Sequence, residues 1–274
     1  MKKLDWPAQQ TVVTARIEKL EKETGGKIAV CFRDLSHGRR FSYNGACAFL
    51  SASTIKILLL AELLRQAEAG NFSLTDRLLM TKEDMTGGDG ILKELEAGHH
   101  FSLMELATLM IIVSDNEATN KLLTLVGMEN VNRLGEALHL KAIHFGRKMM
   151  DEAARKRGEE NWIAADDLGE LLTKIYQGTL ISQNASALML RLLQRQQQGE
   201  RLQRYLPEDV PLAHKCGDLG GVENDAGIFL FPKNPYVLVV LTNLMPSALV
   251  GKRAVGQISR LFYELVTGNP GFPD

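Results

Sequence analysis

Ser53-Thr54-Ile55-Lys56-Ile57-Leu58-Leu59-Leu60-Ala61-Glu62-Leu63-Leu64 is the stretch from which the rest of the chain is read. From residue 53 to residue 69 the apolar side chains are too dense for a surface helix with one narrow stripe, so this segment is expected to be a central helix buried on most sides. At its start Ser53 and Lys56 stand three apart, which on a helix places both on one face and brings the Lys56 amine within reach of the Ser53 hydroxyl. A lysine acts as a base only when neutral, so burial or a second cation must lower its pKa from the ordinary value of about 10.4. Taken alone the spacing carries little weight, because an N-cap serine followed by a solvated lysine gives the same pattern.

Outward from this helix the element types change in a simple order. A helical pattern at residues 8–24 ends at Gly25-Gly26, where glycine tolerates the left-handed cap conformation. Strands are expected at residues 27–33 and 39–43, joined through Ser36-His37-Gly38. Helices follow at residues 104–113, 117–126, 130–138, 164–177 and 182–197. A second hairpin, residues 227–231 and 236–242 around Pro232-Lys233-Asn234-Pro235, precedes a last helix at 248–267. Strands at both ends with helices between them imply that the ends share one sheet. The expected fold class is α+β, a single two-lobe domain over residues 1–274, with residues 1–48 and 200–274 in a mixed lobe and 49–199 in a helical lobe.

Two further motifs accompany Ser53-x-x-Lys56. Ser114-Asp115-Asn116 stands between two helical segments, and Lys215-Cys216-Gly217 stands before the C-terminal strands. The triplet Ser-x-x-Lys, Ser-Asp-Asn and Lys-Thr-Gly marks class A β-lactamases and penicillin-binding proteins. The chain resembles that family over residues 26–266, also in Gly90-Ile91-Leu92, in Met110-Ile111-Ile112-Val113 and in Asp218-Leu219 with Val222-Glu223-Asn224-Asp225-Ala226-Gly227. The resemblance implies a five-stranded antiparallel sheet flanked by terminal helices, an all-helical lobe, and an active site between them. It implies that Ser53 forms an acyl-enzyme with Lys56, Ser114 and Lys215 as catalytic partners. Ser114 would relay a proton to the leaving nitrogen, and Asn116 would hold a substrate amide. Lys215 would lower the Lys56 pKa and attract a substrate carboxylate. Cys216, Gly217 and Asp218 would line the substrate, with the N–H groups of Ser53 and Asp218 as the oxyanion hole.

The chain departs from the family's pattern in three places. The glutamate that activates the deacylating water, within Glu-x-x-Leu-Asn, does not occur in Arg147-Lys148-Met149-Met150-Asp151-Glu152-Ala153, where methionine stands about at its position. Asp151 or Glu152 would have to substitute, unless they are ion-pair partners of Arg147 and Lys148. Cys216 replaces a threonine, and a thiol donates only weakly. Asp218 would repel a substrate anion about 5 Å away by roughly 3 kcal/mol at an effective dielectric near 20 unless Lys215 neutralised it.

Bulk properties exclude several classes. With 32 Lys+Arg against 33 Asp+Glu the net charge of −1 gives no field for nucleic acid or an anionic membrane, and Arg155-Lys156-Arg157 is bracketed by acids. Apolar runs fall short of the ~20 residues of a membrane span. Cys31, Cys47 and Cys216 form neither a disulfide framework nor a zinc pattern, and His99-His100 lack a third ligand, so no metal or cofactor is expected. His214 reads equally as a cleft residue or a buried strand-edge histidine. Residues 1–7 carry two lysines but then Asp5 and Pro7 in place of an apolar run, which reads as cytoplasmic as the sequence stands and extracytoplasmic had a leader been removed. The expected protein is a monomeric serine hydrolase acting on β-lactams, with slow turnover among the outcomes. Alternatives are a carboxypeptidase, transpeptidase or esterase acting on an acyl-peptide, or a penicillin-binding sensor that does not turn over.

Overall fold

The computed structural model describes residues 6–272, so the leader reading on residues 1–7 lies outside the described residues except for Trp6 and Pro7. Helix α1 (Trp6–Thr24) leads into strands β1 (Lys27–Asp34) and β2 (Arg40–Tyr43), and a two-residue strand β3 (Phe49–Leu50) precedes a 3₁₀ turn, Ala52–Ile55. Helix α2 (Lys56–Glu68) is followed by β4 (Arg77–Leu79), β5 (His100–Ser102), α3 (Leu103–Ile112), α4 (Asn116–Val126) and α5 (Met128–Ala137). Then come α6 (Glu152–Lys156), β6 (Trp162–Ile163), α7 (Ala165–Gln177) and α8 (Gln183–Leu193), before β7 (Leu212–Leu219), β8 (Val222–Phe229), β9 (Tyr236–Asn243) and α9 (Ala248–Thr267).

The five long strands form one antiparallel sheet in the order β2-β1-β9-β8-β7, so the two chain ends do meet in it. Both faces of its centre are covered. Ile28, Val30, Phe32, Leu238 and Val240 pack on the side of Ile258 and Phe262 of α9, whereas Ala29, Cys31, Val237, Val239 and Leu241 face Leu168 and Leu172 of α7. A strand buried on both faces loses the apolar–polar alternation of a half-exposed one, which is why residues 236–242 read as a continuous apolar run.

Helix α2 is central: Ile57, Leu58, Leu59, Leu60 and Ala61 are each fully buried, and the helix packs against α3, α4, α5 and α8. Burying a Leu or Ile side chain contributes roughly 1.5–3 kcal/mol, so this one helix anchors all its neighbours. Two differences from the sequence expectation bear on the site. Ser53 belongs to the 3₁₀ turn, not to the α-helix, and Lys215-Cys216-Gly217 lies within strand β7 and not before it.

Candidate active site

Ser53 is presented by a turn held from three sides. Asn224 Nδ2 donates to the carbonyls of Leu50 (2.8 Å) and Ser51 (3.2 Å), Ser51 N donates to Asn161 O (2.9 Å), and Thr54 Oγ1 donates to Ser51 O (2.6 Å). Between these anchors Ala52 has φ +46°, a left-handed conformation costing a non-glycine residue on the order of 1–3 kcal/mol. Strand β7 runs tight against the turn: a Cβ on Gly217 would lie 2.4 Å from Ser53 N and 3.0 Å from Thr54 N. Only glycine permits that approach.

One turn further, the fully buried Lys56 Nζ contacts Ser114 O at 2.6 Å, Asn116 Oδ1 at 2.9 Å and Ser114 Oγ at 3.2 Å. Lys215 Nζ, equally buried, donates to Ser114 Oγ at 3.1 Å and to Cys216 O at 2.6 Å. The two amine groups thus converge on one hydroxyl. Burial first and then the Lys215 charge hold the Lys56 pKa well below the usual lysine value, and burial also lowers that of Lys215. In place of the expected approach to the Ser53 hydroxyl, the Lys56 amine hydrogen-bonds to Ser114 and Asn116. A neutral Lys56 has two N–H groups and one lone pair. Its N–H groups suit Ser114 O and Asn116 Oδ1, leaving one lone pair to take up a proton, while Ser114 Oγ accepts from Lys215.

The loop carrying Asn116 is built on carboxylates that sequence reading passed over. Asp115 caps α4 by accepting from Ala118 N (2.9 Å) and also accepts from Ile91 N and Leu92 N, while Glu117 Oε1 accepts from Thr86 N and Gly87 N. Gly87 O then accepts from Asn116 Nδ2 at 3.1 Å, so the amide is oriented at both ends. Ser114 itself has φ +59°, a strained link between α3 and α4.

Beside Ser53 lies a cavity of about 220 Å³ lined by Asn116, Met149, Met150, Glu152, Glu160 and Asp218, among others. Asn120 clamps its floor: Oδ1 accepts from Met149 N (2.8 Å) and Nδ2 donates to Met149 O (3.0 Å). Asp151 is the N-cap of α6, accepting from Ala154 N at 2.9 Å. Glu152 is more than half exposed and stands 3.7 Å from Arg155. Neither pairs with Arg147, which is held by Glu160 at 2.9 Å. That corrects the expected partners, since the carboxylate that fixes this loop comes from its far end, thirteen residues away.

Two further expectations are corrected. The Asp218 carboxylate is met by Arg201 at 2.5 Å, not by Lys215, and Arg201 is shared with the buried Glu223 at 2.6 Å. Cys216 is fully buried with its thiol 3.0 Å from Gln198 Oε1, so that side chain is turned to the 196–198 segment and takes no part in lining the cavity. His214 is the buried alternative, paired with Asp225 at 2.9 Å. Arg201 and Gln198 carried no local sequence signal, because their partners lie on β7 and β8.

The sequence model of the β-lactamase enzyme family matches residues 12–266. The chain belongs to that family. A β-lactamase of Streptomyces albus G is 29% identical over 241 residues, covering 83% of this chain and 76% of that protein. One of Citrobacter koseri is 25% identical over 236 residues, covering 84% and 80%. Among solved structures, the β-lactamase of Sphaerobacter thermophilus superposes with a TM-score of 0.88 at 32% identity, covering 97% of this chain and 100% of that one. The protein called PBP-A superposes with a TM-score of 0.86 at 26% identity, covering 94% and 97%. This β-lactamase-family chain is therefore a serine hydrolase, and among its described residues no helix is long and apolar enough to cross a membrane.

Proposed function

We propose that the chain opens β-lactam rings through an acyl-enzyme on Ser53, and that release of the acyl group is slower than its formation. The meeting of Lys56 and Lys215 on the Ser114 hydroxyl, one turn from Ser53, carries this reading. Neutral Lys56 takes the Ser53 proton as Oγ bonds to the lactam carbonyl carbon. The C–N bond breaks as Ser114 passes its proton to the leaving nitrogen and is reprotonated from the lysine pair. The N–H of Ser53, against which Gly217 packs, and that of Asp218 hold the developing oxyanion. Asn116 Nδ2 and the Asp218 edge of β7 bind the substrate amide.

Slow release follows from what lines the cavity. Met149 and Met150 line it in place of a carboxylate, Asp151 is spent as a helix cap, Glu160 is held by Arg147, and Glu152 is more than half exposed beside Arg155. Hydrolysis of an acyl-peptide is the second reading. The withdrawal of the Cys216 thiol, which removes a donor from that side of the cleft, favours an acyl donor without a carboxylate at that position.

The test is intact-protein mass spectrometry with a chromogenic cephalosporin, following adduct and product together. An adduct that outlives many expected turnovers, absent in Ser53→Ala, supports the proposal. Product without adduct accumulation would show an efficient deacylating group, and an unlabelled wild-type protein would direct attention to acyl-peptides.

A further inference from the structure

A second and larger cavity, about 860 Å³, has Phe49, Leu50 and Trp162 of the β3/β6 ladder in its wall and shares no lining residue with the first. Its walls are Phe49, Leu50, Trp162, Leu244 and Met245, of which Leu244 is 72% exposed and Trp162 36% exposed. Apolar side chains this open, around a volume within the range of small-molecule sites, mark a ligand site more than a packing defect.

The polar groups are few and placed together. Lys27 and Asn243 are direct cross-strand partners at the open ends of β1 and β9, and both line the cavity. Directly opposed residues have Cβ atoms about 4.5–5.5 Å apart, a spacing that lets one anionic group touch both side chains. Among the described residues the Lys27 side chain has no ion-pair or hydrogen-bond partner, and no carboxylate lines the cavity. The Asn243 side chain is equally without a partner, and its Oδ1 is buried. An amide can turn to present either its oxygen or its Nδ2 donor. A lone cation and an unused amide at the mouth of an apolar chamber are complementary to an apolar anion.

We propose that this cavity binds a small apolar monoanion of the fatty-acid type, its hydrocarbon against Phe49, Trp162 and Met245 and its charged group between Lys27 and Asn243. The exposed Cys47 on the same wall gives a specific handle, since Cys31 and Cys216 are buried.

The experiment titrates the full chain with 8-anilinonaphthalene-1-sulfonate, reads its fluorescence, and displaces it with dodecanoate. Saturable binding of one equivalent is expected. It should weaken at least tenfold in Lys27→Glu, and again when Cys47 of the wild-type chain is alkylated with N-benzylmaleimide, and stay unchanged in Met150→Glu, which places one negative charge in the Ser53 cavity. No saturable binding, indifference to both the Lys27 exchange and Cys47 alkylation, or weakening by Met150→Glu in place of Lys27→Glu overturns the proposal. None of these outcomes depends on whether Ser53 is acylated by a β-lactam.

Discussion

Replacing Lys215 with methionine removes a charge from the Lys56 environment while keeping the length of a buried side chain. Both Nζ atoms contact Ser114 Oγ, at 3.2 and 3.1 Å, so they are no more than about 6.3 Å apart. At an effective dielectric near 20 that separation corresponds to about 2.6 kcal/mol of repulsion, or roughly 80-fold in the fraction of neutral Lys56 at a given pH. The sign follows from Lys56 being a cationic acid. A nearby positive charge lowers its pKa, so loss of Lys215 raises it, and the pH at which acylation switches on moves in the alkaline direction. Acylation of Lys215→Met, followed by adduct formation at saturating β-lactam from pH 5 to 10, should fall about 80-fold on the acid limb and recover at high pH. Saturation removes any part of the effect that comes from weaker substrate attraction. An acid limb that stays at the wild-type pH, whatever the overall rate, would refute the argument and leave burial as the sole cause of the depressed Lys56 pKa.

Gly217→Ala places a Cβ 2.4 Å from Ser53 N, where only backbone can yield. Adduct formation should slow by at least ~100-fold, the scale of losing an oxyanion donor, with a stability loss of about 1–3 kcal/mol from overpacking in urea titrations. Met149→Glu puts a carboxylate into the Ser53 cavity on a backbone already clamped by Asn120, so the adduct lifetime should shorten by at least ~10-fold, more so as pH rises and the carboxyl ionises. An unchanged lifetime in a folded variant would mean that a base at 149 does not reach the ester. Burial pushes the Cys31 thiol from 9.0 up to about 12, so above pH 9 the unfolded chain loses this proton and the folded one keeps it. Stability should therefore fall by about 1.4 kcal/mol per pH unit from this group alone, and Cys31→Ala should remove that part of the decline between pH 9.5 and 10.5 in urea titrations.

Legibility followed the range of the interactions. The terminal strands and α1, α7 and α9 could be read because their signals are local: apolar periodicity, Gly25-Gly26 at a helix end, and Pro232 and Pro235 in a turn. Strand β7 was missed because His214-Lys215-Cys216-Gly217-Asp218 is polar, and it is buried through pairs with Asp225, Ser114 and Arg201 that lie far away in sequence. The order of Ser53, Lys56, Ser114 and Lys215 could be read from three short motifs. Their contacts could not, since Lys56 meets Ser114 and Asn116 from 58 and 60 residues away, and the turn that presents Ser53 depends on Asn224 and Asn161 holding residues 50 and 51.

The same logic explains why the cavity can lose a base and keep its shape. In this chain the loop at residues 147–161 is tied down by Arg147–Glu160, by Asn120 on both polar groups of Met149, and by Asn161 on Gly146 N and Arg147 N. None of those bonds uses the side chain at 149. The backbone at 149 is therefore satisfied whichever residue it carries, and a change there costs only what the buried Met149 side chain contributes to packing. The acylating half is constrained in the opposite way. Lys56, Ser114, Asn116 and Lys215 are partners of one another in a buried network, where removing any one strands a polar group at a cost of about 1–3 kcal/mol. Formation of the acyl-enzyme is thus tied to a buried polar network, whereas its release depends on a side chain outside that network.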